Sequence, residues 1–367
     1  MAIRSQRTAD RLAAVAVAAA LSLTIAASAA AVTTRGNSKA NTLVGTAQAD
    51  RLYGKAGNDS LRGLGGADRL DGGSANDRLS GGTGADRLLG NIGNDRIFGG
   101  TGDDRGEGGG GEDQIRGEGG ADTLMGGAGR DRVTGGDGDD ALSGGSQNDI
   151  LDGDDGRDAI KGDAADDRIG GGADDDTLEG GANDDRIDGG AGDDRIDGGS
   201  GSDRLFGGAG NDYIFEKVSD AIERIDGGDG DDYIFTSGGT DRVIRGGAGN
   251  DVLRGGPQVP ARENADQLGD GMSDGGPGND IVLGGGAPDF ILGGDGDDVL
   301  YGGAGLDRYD CGAGNDAAVV EFSAEGTLAK SLGCERIVMG DPSVGDPSFD
   351  GLFGTTPHAG KATGTEE

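Results

Sequence analysis

The sequence predicts an all-β fold, a β-solenoid of very short strands joined by tight glycine turns. Three observations carry this. A nine-residue unit recurs in one phase over most of the chain, an acidic residue holds the same place in nearly every unit, and an apolar residue follows it two positions later. Self-similarity at so short a period is the mark of a stacked repeat, in which each unit buries its apolar side only against its neighbours.

The acidic series starts at Asn41 and steps by nine through Asp50, Asp59, Asp68, Asp77, Asp86, Asp95, Asp104, Asp113, Asp122, Asp131, Asp140, Asp149, Asp158, Asp167, Asp176, Asp185, Asp194, Asp203 and Asp212. The apolar series runs beside it from Leu43 and Leu52 to Ile214, broken only at Gly106. The unit is G-G-x-G-[ND]-D-x-[LI]-x, as in Gly81-Gly82-Thr83-Gly84-Ala85-Asp86-Arg87-Leu88-Leu89. Its glycines permit the positive φ of a tight turn. Its last three residues alternate out-in-out, which turns the Leu or Ile inward from a short strand. Helix is excluded for most of the chain, since each interior glycine would cost about 1 kcal/mol.

The phase then slips. After Asp212 comes a stretch without the repeat, and the register restarts at Asp232, reaches Asp241, and continues one residue late at Asp251. A second, proline-bearing stretch precedes Asp280, Asp289, Asp298, Asp307 and Asp316. The chain therefore divides into a signal peptide at 1–31, a linker at 32–40, a main array at 41–215, an insertion at 216–226, a second array at 227–316 with a loop near 256–275, a cap at 317–339 and a disordered tail at 340–367. About 26 turns are counted in all.

Composition bounds the function. Gly is 84 of 367 residues, Trp is absent and the formal charge is −36. So few apolar residues suit a disordered acidic chain, and the periodicity decides for an ordered one. The charge excludes nucleic acid, whose phosphates need Lys and Arg, and argues against an anionic membrane. Dense carboxylate points to hard cations, above all Ca²⁺. At the N-terminus, Arg4, Arg7 and Arg11 precede an apolar run from Leu12 to Ala26 and an A-x-A site at Ala27-Ser28-Ala29. This reads as a cleaved secretory signal, so the mature protein is expected outside the cell, with no other membrane-spanning stretch.

This nonapeptide resembles the repeats-in-toxin (hemolysin-type) calcium-binding family over roughly residues 41–316. The resemblance implies a parallel β-roll in which two repeats make one coil and turns 18 residues apart stack on one edge. Asp59 and Asp77 would then share one edge, and Asp68 and Asp86 the other. It also implies that multiple Ca²⁺ ions lie between stacked turns, held by the sixth-position aspartates named above and by main-chain carbonyls. The alternative is that each Asp only caps its own turn. Against it stands the repulsion between uncompensated carboxylates stacked roughly 5 Å apart. The fourth-position glycine is replaced by Ala75, Gln147, Ala165, Asp174 and Asn183, and the second by Asp163. Most of these fall between residues 147 and 183, where weaker binding is expected.

The remaining features are read more plainly. Arg recurs at the seventh position, as in Arg69, Arg78, Arg87, Arg96, Arg186, Arg195 and Arg204, and ninth-position acids such as Asp71, Asp188 and Asp197 lie nearby. Charge pairing along a solvated face accounts for this better than a ligand-binding ladder. Cys311 and Cys334 are the two cysteines, an even pair that reads as a disulfide in a secreted chain. No catalysis is expected. His358 is the sole histidine, and the string Gly271-Met272-Ser273-Asp274-Gly275 lacks the strand-to-helix elbow of a serine nucleophile. The expected function is a secreted calcium-binding scaffold or adhesion-type protein with calcium-dependent folding. The alternative is an accessory module or inhibitor acting on a secreted enzyme. The family's toxins leave by an exporter that reads a C-terminal signal, and the N-terminal signal here departs from that pattern.

Overall fold

A computed structural model describes residues 30–216, 224–236, 243–255, 271–285, 288–303, 307–321, 331–332, 334 and 336–340. The expected signal peptide lies almost entirely outside the described residues, as do Asp241, His358 and nearly all of the expected tail.

Among the described residues thirty-three strands run from Thr33–Arg35 to Arg336–Gly340 and form two sheets, of seventeen and sixteen strands. Each strand pairs in parallel with the strand two along, not with the next. Arg51–Ala56 lies beside Arg69–Ser74, with Leu52 opposite Leu70, and Ser60–Gly65 lies beside Arg78–Thr83, with Leu61 opposite Leu79. Two repeats therefore make one coil, and the fold is the parallel β-roll that the sequence predicts. Sheet one contains Thr33–Arg35 and Arg51–Ala56, and sheet two contains Thr42–Val44 and Ser60–Gly65. The chain crosses from sheet one to sheet two at edge one, by way of Asp59, and returns at edge two, by way of Asp68. Seventeen strands at about 4.8 Å give a rod of about 80 Å, longer than the roughly 60 Å expected of about 26 turns stacked as about 13 coils, because strands join both ends and two more, Arg224–Asp229 and Gly271–Pro277, lie within the array.

The strands are longer than the triplet expected. A typical one, Arg69–Ser74, takes in the first three positions of the next unit. Ladder pairing resumes there across the first glycine, Lys55 with Gly73 and Ala56 with Ser74. The second position carries the left-handed backbone, and a Cβ on Gly82 would strike the Leu64 carbonyl of the coil below. Non-glycine residues nevertheless hold this conformation. All five fourth-position replacements have φ between 73° and 89°. At the second position Lys55, Leu64, Asn91, Glu118, Asp154 and Asp163 share it, of which the sequence reading noted only Asp163.

The eighth position points inward from both sheets, so the core is a ladder one residue wide per repeat. Leu52, Leu61, Leu70, Ile97, Ile187 and Ile214 are among its fully buried members. At Gly106 the ladder is closed by Leu124 and Ile115, which a Cβ there would meet at 3.0 and 3.2 Å.

The phase slips leave the core in line. Ile214 pairs with Ile234, Ile225 with Ile244 and Ile244 with Ser273, although these steps are 20, 19 and 29 residues. The longer steps all run from a strand of sheet one to a strand of sheet two: Glu216 to Arg224, Thr236 to Val243, Gly255 to Gly271 and Glu321 to Ser331.

Four boundaries move. The linker at 32–40 contains the strand Thr33–Arg35, paired with Arg51 to Tyr53. The insertion at 216–226 shrinks to 217–223, since Glu216 ends one strand and Arg224 begins the next. The loop near 256–275 ends at residue 270, because Gly271–Pro277 is a strand. Its Met272-Ser273-Asp274-Gly275-Gly276 has the x-U-x-G-G form of the repeat, with Ser273 in the inward place between Ile244 and Ile291. The G-x-S-x-G string thus lies on a strand, not in a loop. The expected cap keeps the parallel pairing, with Ala317–Glu321 and Arg336–Gly340 extending sheet one. There Cys311, at a first-position glycine site, is joined to Cys334 by a disulfide with 5.2 Å between Cα atoms.

Candidate metal centres

The backbone fixes the aspartates before their side chains act. The Asp50 carbonyl accepts the Arg69 amide at 2.9 Å, and this bond recurs along both edges. Each sixth-position Asp is thereby pinned at the start of a strand with its side chain along the edge. On edge two the Asp50 amide donates to Oδ1 of Asp68 at 2.7 Å. The same bond continues through Asp86, Asp104, Asp122, Asp140, Asp158, Asp176, Asp194, Asp212, Asp232, Asp251, Asp280, Asp298 and Asp316. On edge one it runs through Asp59, Asp77, Asp95, Asp113, Asp131, Asp149, Asp167, Asp185 and Asp203, and returns as the pair Asp289 and Asp307. All the sixth-position aspartates singled out from the sequence and described in the structure therefore stand in one of two columns, and all but Asp289 are buried. The column is unbroken between residues 147 and 183, so its geometry does not set that stretch apart.

The two carboxylate oxygens differ. Oδ1 has its amide donor, whereas Oδ2 of Asp59, Asp68, Asp77 and the other interior members is buried with no hydrogen-bond partner. An Asp that capped its own turn would take the amide four residues back. At the column ends this does occur, with Thr46 donating to Asp50 at 2.5 Å and Gly285 to Asp289 at 2.9 Å. In the interior Oδ2 faces the first-position glycine of its turn. A Cβ on Gly81 would strike Oδ2 of Asp86 and lie 2.6 Å from the Gly99 carbonyl oxygen. A carboxylate oxygen and a main-chain carbonyl thus converge on a cradle that any side chain would fill.

Electrostatics makes the same point. Burial pushes Asp77 up to about 7, and the stacked charges of Asp95 and Asp59 add to it against the Asp59 amide. Burial likewise raises Asp185 and Asp232 to about 8. Such groups resist ionisation unless a cation compensates them.

The donors fit a hard cation. Among the described residues no three His, Cys, Asp or Glu side chains converge on one point. Carboxylates instead come in pairs along a column, and carbonyls must make up the number. An all-oxygen set suits Ca²⁺, which takes six to eight oxygens, and not Zn²⁺, which favours Cys and His. A bound ion would supply positive charge between two stacked carboxylates.

Past Asp203, edge one carries further buried groups at first-position sites. Glu216 occupies a first-position glycine site, is fully buried and brings its carboxylate into the Gly198 cradle beside that of Asp203, whose carboxyl is raised chiefly by burial. Thr236 fills the same place on the paired strand and is also buried. The sequence reading missed both. Their signal was the lost glycine after Tyr213-Ile214-Phe215 and Tyr233-Ile234-Phe235.

The seventh-position arginines pair less than expected. Arg69 reaches Asp71 at 3.9 Å and Arg186 reaches Asp188 at 3.7 Å. Arg78, Arg186 and Arg195 lie over the rings of Phe98, Phe206 and Phe215, each at 4.4 Å. Among the described residues Arg87, Arg96 and Arg204 have no carboxylate within 4.0 Å. Strand alternation sets arginine and acid two residues apart on one face, which leaves such pairs long.

No curated protein matches this chain. The RTX calcium-binding nonapeptide repeat matches it in overlapping windows that together run over 35–214, 219–258 and 274–317. The matched windows take in both aspartate columns from Asp50 to Asp316. The chain belongs to the RTX family and is a calcium-binding repeat protein.

Proposed function

We propose that this protein is a secreted, non-catalytic scaffold whose β-roll folds around calcium. The observation that carries the reading is the buried, donor-free Oδ2 in interior turns of both columns. Each such oxygen is costly to bury bare and is relieved by a cation. A core of one aliphatic residue per repeat offers little else to offset the ordering of so many glycines. The signal-like N-terminus supports export, and the disulfide suits an oxidising compartment. The G-x-S-x-G serine sits in the inward ladder, away from any strand-to-helix elbow, which supports a structural place for it.

Equilibrium dialysis of the full chain against calcium tests the binding. Many ions per chain at millimolar calcium are expected. Retention of only one or two would sink the reading. N-terminal sequencing of the protein from culture medium tests export, with a new N-terminus near Ala30 expected.

A further inference from the structure

Acids line the two edges and many ninth positions of the strands, whereas the outer face of sheet one is net basic over its first five strands. Parallel register places Arg51, Arg69, Arg87 and Arg105 directly opposite one another on four successive strands. Arg35, over the Tyr53 ring at 5.3 Å, and Lys55 extend the face. The only acids on these strands are Asp71 and Glu107, and Asp71 is engaged by Arg69 and by Asn91 at 3.0 Å. Among the described residues Arg51, Arg87 and Arg105 have no carboxylate within 4.0 Å. Four like charges in a row at strand spacing repel one another unless an anion lies across them.

We propose that this face docks an acidic polysaccharide, and that calcium in the edges opens it. The gate rests on the calcium reading above. In the bare chain a formal charge of −36 repels any polyanion. Each Ca²⁺ between two stacked carboxylates cancels edge charge and leaves the arginines untouched. Eighteen such ions would cancel the formal charge outright.

The partner follows from shape and charge. The row follows the parallel ladder and repeats at about 4.8 Å, close to one ring of an extended sugar chain. Guanidinium binds carboxylate or sulfate through two parallel hydrogen bonds. The phosphates of a nucleic-acid duplex laid on this face would meet exposed edge acids such as Asp103 and Glu112.

The test is capture of the full chain on immobilised hyaluronan, a uronate polymer that calcium does not gel, with neutral dextran as the control. Circular dichroism and calcium uptake are read on the same samples. In millimolar calcium the wild type is expected to bind hyaluronan, to ignore dextran, and to release in chelator or high salt. The triple variant R51Q/R87Q/R105Q should bind weaker by on the order of tenfold, and the matching triple lysine variant should keep most of the affinity. Calcium-loaded, β-rich wild type that ignores hyaluronan overturns the surface, as does undiminished binding by the glutamine variant. Preference for a DNA duplex over hyaluronan overturns the choice of partner. A chain that takes up no calcium overturns the underlying reading, and the gate with it.

Discussion

The amide of Asp59 donates to Oδ1 of Asp77 at 2.7 Å, and Oδ2 of Asp77 is buried with no donor of its own. One oxygen of each carboxylate is committed to the coil before it, and the other is left for a charge that the protein does not supply. The same division repeats along both edges, so the roll behaves as a one-dimensional array in which each coil helps to order the next.

Acidity should act in opposite directions with and without calcium. In the metal-free roll burial raises Asp77 to about 7 and Asp185 to about 8, above the ordinary Asp value near 3.8. A group whose folded pKa is raised lends stability below its unfolded pKa and loses it as pH rises through the folded value. The metal-free chain should therefore gain β structure as pH falls from about 8 to about 5. Calcium binding needs ionised carboxylates, so calcium affinity should fall over the same range. Far-UV circular dichroism and calcium titrations at several pH values check both arms. Metal-free β content that rises with pH would contradict the account.

Asp140→Asn should change sign with the state of the protein. Asp140 is buried, raised to about 7, and faces the Gly153 carbonyl across the Gly135 cradle. The amide keeps the Oδ1 acceptor for Asp122 and gives Gly153 a donor. The metal-free chain should be stabilised by about 1 kcal/mol. In calcium the two adjoining gaps lose a charged ligand, and stability should fall by on the order of 2 kcal/mol. Denaturant melts in chelator and in calcium measure both, and effects of the same sign would show that Asp140 serves only as the acceptor for the Asp122 amide.

Much of the fold was legible because the repeat encodes it twice, once in the Asp step and once in the inward Leu or Ile. The edges named for Asp59 and Asp68 hold in the structure for the same reason. What failed was local. Thr33–Arg35 lies before the first repeat and becomes a strand only because Arg51 to Tyr53 offers it an open ladder. Ser273 was hidden because a serine stands where an aliphatic belongs. Glu216 and Thr236 were hidden because their role depends on which coil lies beneath them, a distance that phase alone does not carry.

Leu64 shows where the repeat carries strain. It holds φ at +85° at a second position and is half exposed, with no core contact to lose. Left-handed backbone costs a side chain about 1–2 kcal/mol, partly offset by the greater freedom of glycine when unfolded. Leu64→Gly should stabilise the calcium-loaded roll by roughly 0.5–1 kcal/mol in a denaturant melt. A loss of stability would mean that the leucine contributes more than its conformation costs.

Calcium titration of the full chain, followed by far-UV circular dichroism, tests the central claim most directly. The account predicts a largely unordered spectrum in chelator and a steep rise of β signal toward millimolar calcium, since each ion organises two neighbouring turns. A chain equally rich in β structure in excess chelator at neutral pH would contradict it, and would show that the buried aspartate columns stand without the ion.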